Sequence, residues 1–348
     1  MRKYYLDNLR TIMILFLFPV HTFMIWNNYG GKFYVWGGEN KLLSSLIIIV
    51  NPWFMALLFV IAGMCTRYSL EKRGTKKFIK ERFSKLFIPL IGGMLLVPIQ
   101  TFYARKFFFG YTGSRFENYK YFFTHCTDFS GYDGSFTPGH LWFILFLFII
   151  SLSALPIIKH IPYKKFAVKF EKANIITIIL LFIPVWILYY IGNFGGYSLG
   201  KYFILFLLGY YMFSNEKIID KLTDNKKVIL GLFVVLQAIL VTGYYQYSYY
   251  GDFAVSLVCW LGILACLILG KCYLNKETKL TEYFSKASFP IYLLHQSILV
   301  ALGYYTLSFI DHLFLQVIII MLGSFVLTML CYEVLKRIPC LNKMLGIK

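Results

Sequence analysis

Arg10 and His21 are the first residues whose types and spacing could do chemistry, because both fall in an apolar segment, residues 9–29, where lipid alone would not tolerate them. They are eleven residues apart. At about 100° per residue that is almost three whole turns, so on a continuous helix both side chains leave the same face. At about 1.5 Å per residue they sit roughly 16 Å apart along the axis, one near a membrane surface and the other near the bilayer middle. An ionisable residue at that depth must face a protein interior or a wet cavity. Pro19 cannot donate to the carbonyl of Leu15, which predicts a local bend and a free acceptor just below His21. A histidine bonded to a neighbouring helix for packing, and an arginine that only anchors the membrane surface, would leave the same trace singly. The pair on one face points to function.

Further along the chain, His295 lies about eight residues into another apolar segment, roughly 12 Å from its start, a depth comparable with that of His21. Tyr292 precedes it by three and shares its face. A histidine there serves equally well as a base or as a structural partner of a backbone carbonyl. Arg82 and Lys85 close the basic run 76–85, where a helix enters the membrane and where they could bind anionic phosphates. Most such runs merely touch anionic lipid. In Gly139-His140-Leu141-Trp142-Phe143, an aromatic belt explains Trp142 and Phe143 but not His140.

The elements that position these residues follow from composition. With 59% hydrophobic and 15% charged residues in 348, the chain reads as a polytopic membrane protein. The net charge of +19 would suggest nucleic acid in a soluble protein. Here the basic residues cluster in connections between apolar runs, so no nucleic-acid partner is expected. The cysteines are scattered without a Cys-x-x-Cys spacing and read as small core residues, and no metal site is expected. The basic start and first apolar run mimic a signal peptide, but Trp26-Asn27-Asn28-Tyr29 offers no small-x-small cleavage site, so the segment is expected to stay in the mature chain.

About ten apolar segments are long enough, or nearly so, to span: residues 9–29, 43–66, 86–104, 140–158, 174–192, 200–214, 228–247, 253–272, 287–309 and 313–335. The sixth is short. Of the 35 Lys and Arg, 28 fall on the side of the chain start, among them Arg2, Lys3, Arg10 and the runs 67–85 and 159–172. The positive-inside rule then predicts cytoplasmic N- and C-termini. Residues 105–139 form the longest outer segment, expected to be ordered but irregular, as a lid or a solvated connector would be. No repeat or second domain is visible. The expectation is an all-α integral membrane protein, one domain over residues 1–348, in the lipid bilayer of the cell membrane.

Several motifs in order carry a resemblance: Leu6-Asp7-x-Leu9-Arg10 followed by ten residues and His21, Arg82-x-x-Lys85-Leu86 with Pro89, His140-Leu141-Trp142-Phe143, and Tyr292-Leu293-x-His295. Together they resemble the membrane-bound acyltransferase-3 family, and the Tyr-Leu-Asp-Asn-Leu-Arg opening is similar to its branch containing glucan biosynthesis protein C. The resemblance implies ten transmembrane helices and transfer of an acyl group, acetyl or succinyl in type, from cytoplasmic acyl-CoA to a hydroxyl or amine of a carbohydrate or other envelope acceptor. Acyl-CoA is a co-substrate, and no bound cofactor is implied. Arg10, Arg82 and Lys85 would hold its phosphates. His21 would act as general base, with His295 and Tyr292 orienting it or steadying the oxyanion. Two departures stand out. Lys85 occupies the place of a usual second arginine, turning a bidentate contact into a point charge. Ala62-Gly63 replaces a frequent Ser-Gly. The competing class is a transporter or flippase for an acylated glycan precursor, its intramembrane His and Arg lining a pathway; neither an inverted repeat nor paired broken helices support it.

Overall fold

The computed structural model describes residues 3–28, 32–248 and 251–346. Arg2 and Lys348 of the charge count, and Tyr29 at the end of the first segment, lie outside them. The described chain is almost wholly helical, with one two-residue hairpin pairing Asn193–Phe194 with Tyr197–Ser198. Among the described residues, each apolar segment expected from the sequence contains helix, with non-helical stretches at 25–28, 51–53 and 189–192. Six helical stretches among the described residues are long and apolar enough to cross a membrane: Lys41–Phe109, Gly139–His160, Lys226–Tyr247, Asp252–Tyr273, Lys279–Phe309 and Leu313–Leu335. Ile175–Leu188 and Leu199–Phe213 are apolar but shorter.

The first segment differs from expectation. It begins at Tyr4 and is interrupted at Phe16, giving helices Tyr4–Leu15 and Leu17–Met24. Pro19 explains a weakness here, since the carbonyl of Leu15 cannot receive the usual fourth-residue donor. Residues 105–139, expected to be ordered but irregular, are more regular than that. They contain the helix Arg115–Thr124, started by a capping box in which Ser114 Oγ accepts from Glu117 N and the Glu117 carboxylate accepts from Ser114 N.

The chain forms two compact units. One comprises the N-terminal residues up to Met13 with Ile48–Phe83 and Phe146–Glu282. In it, the stretch Phe54–Arg82, helical on both sides of a kink at Gly74 (φ +71°), packs through its first part on helix Leu199–Leu208 and the π-helical turn Gly209–Phe213 through two glycines. A Cβ on Gly63 would lie 2.0 Å from the carbonyl oxygen of Phe206, and one on Gly209 would lie 2.2 Å from that of Val60. Glycine lets the backbones approach, as small residues do in membrane helix pairs. Polar anchors hold one end of this unit: Asn8 Nδ2 donates to the carbonyls of Leu274 (2.6 Å) and Lys276 (2.9 Å), and Glu216 bonds Lys271 at 2.7 Å and also pairs with Lys3.

The other unit comprises Ile14–Ile47, Ser84–Leu145 and the chain from Tyr283 onward. Its apolar core includes Ile25, Trp26, Val35, Phe102, Leu299 and Ile320. The third apolar segment is split into helices Ile88–Met94 and Val97–Phe109, with Pro98 in the first turn of the second. Carbonyls freed at the break are caught from outside: Tyr119 Oη donates to Leu95 O at 2.7 Å and Ser297 Oγ to Leu96 O at 2.9 Å. This scaffold carries the site.

Candidate active site

Within the second unit three imidazoles meet. His21 comes from helix Leu17–Met24, His140 from the 3-10 turn Gly139–Leu141, and His295 from helix Lys279–Phe309. The ring centroids of His21 and His295 are 5.3 Å apart with planes 28° from parallel. Those of His140 and His295 are also 5.3 Å apart, edge to face at 84°. Phe33 stacks on the far side of His21 at 5.6 Å, and Phe18 packs edge-on against His295 at 5.9 Å. His140 and His295 are buried, whereas His21 is half-buried.

Hydrogen bonds fix two of the three tautomers. His295 Nδ1 lies 2.8 Å from the carbonyl oxygen of Tyr292 and 3.2 Å from that of Ile291. A carbonyl only accepts, so Nδ1 carries the proton and Nε2 presents a lone pair. By the same reasoning His140 donates from Nε2 to Leu293 O at 3.1 Å and presents its lone pair at Nδ1. Both lone-pair atoms are buried without a protein hydrogen-bond partner, as is Nδ1 of His21. Such groups cost free energy in isolation, and three together mark a place built to meet polar atoms.

Tyr292 belongs to the same cluster. Its hydroxyl donates to the carbonyl oxygen of His140, and its ring packs 5.8 Å from the His140 ring. The hydroxyl proton is thereby engaged with the backbone, so this side chain holds His140 in place.

Gln100 and His140 complete the site, and neither was among the residues assigned a role from the sequence. Gln100 is fully buried, and both its amide nitrogen and oxygen lack a protein partner. The amide lies against Gly139, where a Cβ would come within 2.3 Å of Gln100 Nε2. With φ at +51°, Gly139 needs glycine for its backbone as well as for this contact. The sequence signals for His140 were an unexplained histidine in an aromatic run and its place in one of the motifs that carry the resemblance; a lone glutamine in an apolar helix was the signal for Gln100.

The basic residues are placed separately. Arg10, in the first unit, pairs with Asp7 at 3.4 Å and donates to Cys65 Sγ at 3.4 Å. Arg82, in that same unit, is half-buried, lays its guanidinium over the Phe78 ring at 4.4 Å and keeps its Nε–H without a protein acceptor. Lys85 is exposed on the π-helical turn Phe83–Phe87 and falls in the second unit. The structure thus brings His21, His295 and Tyr292 together, adds His140, and leaves Arg10, Arg82 and Lys85 outside that cluster.

The family profile described as an acyltransferase domain matches residues 3–333, nearly the whole chain. The chain belongs to the acyltransferase-3 family. Its curated relatives include glucans biosynthesis protein C of Salmonella gallinarum, 23% identical over 378 aligned positions that cover 98% of this chain and 94% of that protein. The proteins of the same name from Salmonella paratyphi B and Salmonella heidelberg match with the same identity and coverage. No solved structure matches the chain. Family and helices together make this protein a multi-pass membrane acyltransferase.

Proposed function

We propose that this acyltransferase moves an acetyl- or succinyl-type group from cytoplasmic acyl-CoA to a hydroxyl of an envelope carbohydrate or related acceptor, in the cell membrane. The observation that carries the reading is the histidine cluster, in which two imidazoles are locked as lone-pair acceptors and the third, His21, is half-buried with no locking hydrogen bond. A neutral imidazole with a free lone pair is what a general base requires. In the proposed reaction His21 takes the proton of the acceptor hydroxyl as its oxygen attacks the thioester carbonyl. The tetrahedral intermediate then collapses, the C–S bond breaks, and the imidazolium returns the proton to the departing thiolate. His295 orients His21 by ring stacking, and Tyr292 positions His140. Gln100 supplies an amide N–H of the kind that steadies a developing oxyanion.

Arg10, Arg82 and Lys85 are proposed as contacts for the donor's phosphates. Guanidinium groups suit such a ligand, and the Nε–H of Arg82 has no protein acceptor. We read the chain as a single acyltransferase domain over residues 1–348, crossing the membrane about ten times with both termini in the cytoplasm, as the basic residues favour. The test is mass spectrometry of envelope glycans and lipids from cells with and without the protein. Loss of one acyl increment on a carbohydrate is expected. Identical acyl profiles would overturn the acceptor assignment.

A further inference from the structure

The first unit contains a cavity that the proposed reaction does not use. It is open to the surface, holds about 410 Å3 and is lined by Arg67 and Leu70 of the stretch Phe54–Arg82, by the last turns of helix Trp142–His160, and by residues 162–164 at the start of the next helix. That volume is within the roughly 300–1,000 Å3 typical of small-molecule sites. Its lining combines two chemistries. Leu70, Leu155 and Ile158 supply apolar surface, while Arg67, Lys159 and Lys164 bring three cations against one carboxylate, Glu71.

Arg67 is held in place. One edge of its guanidinium bonds Glu71 at 2.9 Å, and its face lies 4.1 Å from the centre of the Tyr163 ring. Its Nε–H is buried and has no protein acceptor. A fixed guanidinium with an unused buried donor suits a phosphate oxygen, which offers several acceptor positions. Among the described residues, neither Lys159 nor Lys164 forms an ion pair, and both are exposed, so their charge is available to a ligand. Lys159 ends an apolar spanning helix, and Tyr163 follows at its mouth; these are the residue types that mark the boundary between hydrocarbon and headgroups.

We propose that this cavity binds the phosphate headgroup of an anionic phospholipid. The phosphate meets Arg67, Lys159 and Lys164, and the first methylenes of the acyl chains lie on Leu70, Leu155 and Ile158. A soluble phosphate would satisfy the cations but leave the apolar lining bare, whereas a zwitterionic lipid would bring its own cation to a rim that already carries an excess of positive charge. The inference does not depend on which acyl group or acceptor the enzyme uses.

The test is native mass spectrometry on the full-length protein in detergent, titrated with phosphatidylglycerol or with phosphatidylcholine of the same acyl chains. Inorganic phosphate and coenzyme A serve as competitors. The parent is expected to retain phosphatidylglycerol at least about tenfold more tightly than phosphatidylcholine. Lys159→Gln combined with Lys164→Gln, both on exposed positions, should remove that preference. Arg67→Lys, which keeps the charge but loses the planar donor set, should weaken it. Equal retention of the two lipids by the parent, or an unchanged preference in the double variant, would overturn the proposal. Displacement of the lipid by inorganic phosphate or coenzyme A at equal concentration would overturn it too, by showing the site to serve a soluble phosphate.

Discussion

His21→Ala and His295→Ala should rank in opposite orders for activity and for stability. His295 is fully buried, with Phe18, His21 and His140 around its ring and a 2.8 Å hydrogen bond to the carbonyl of Tyr292. Truncating a side chain so enclosed opens a cavity, and large-to-small changes of this size cost about 2–5 kcal/mol. The same truncation removes the unpartnered Nε2, relieving about 1–3 kcal/mol of desolvation. A net loss of about 1–2 kcal/mol is left. His21 is half-buried and its ring stacks on Phe33 and His295, so its truncation should cost about 1 kcal/mol or less. For the reaction the order reverses. Losing the general base should lower transfer at least about 100-fold, equivalent to about 2.7 kcal/mol of transition-state stabilisation, whereas losing the ring that orients it should cost less.

The assay is transfer from labelled acyl-CoA to envelope extract by both variants purified in detergent, alongside their thermal unfolding. Near-normal transfer by a well-folded His21→Ala protein would refute the mechanism. A dead His295→Ala beside an active His21→Ala would move the base to His295. A His21→Ala protein that melts far below His295→Ala would show that the burial reasoning is wrong.

Four further outcomes are expected. Arg10→Ala and Arg82→Ala should each weaken acyl-CoA binding by about 1.5–3 kcal/mol, measured by calorimetry, while Lys85→Arg is tolerated; parent-like affinity in both alanine variants would remove the phosphate contacts. Reporters fused after Lys172 and after Lys227 should read as cytoplasmic and one near Gly131 as external, and an external signal at Lys227 would remove the ten-crossing topology. Glu117, held below the usual carboxylate range first by the Ser114 N–H and then by the Tyr111 and Ser114 hydroxyls, should stabilise its helix start above about pH 4.5. That support should fade as pH falls through the lowered folded value, so amide protection in residues 115–118, corrected for intrinsic exchange, should fall with acid in the parent, while Glu117→Gln should show no such dependence. Gly63→Ala should destabilise the protein by about 1–3 kcal/mol in thermal unfolding, because its Cβ would lie 2.0 Å from the Phe206 carbonyl and the obstacle is backbone.

The apolar segments were legible in the sequence because a helix in lipid must satisfy its own backbone, which makes its length and composition nearly sufficient. Residues 313–335, 253–272 and 228–247 were placed within about two residues of helices Leu313–Leu335, Asp252–Tyr273 and Lys226–Tyr247. The breaks were harder to read. Those at Phe16 and at Leu95 and Leu96 depend on where freed carbonyls find partners, and the partners of the second, Tyr119 and Ser297, are distant in sequence. The comparable depth of His21 and His295 followed from helical rise, and their rings do meet. Periodicity within one segment could not reveal that His140 joins them. The turn that carries it depends on Gly139 fitting against Gln100, a contact between separate parts of the chain.

One helix turn controls most of this cluster, and this is what singles out His21. Tyr292, Leu293 and His295 are near neighbours in the chain, and through them the helix holds His140 by two bonds and His295 by its own carbonyls. Both imidazoles therefore keep one tautomer and one orientation, which suits fixed acceptors. A base that takes a proton and later returns it must bear a positive charge between the two steps. That charge is least costly where water or substrate can reach it. Among the three rings only His21 is half-buried, and its position comes from stacking rather than from hydrogen bonds that would have to be remade. The locked pair thus supplies a fixed wall, and the ring resting on that wall is the one free to exchange the proton.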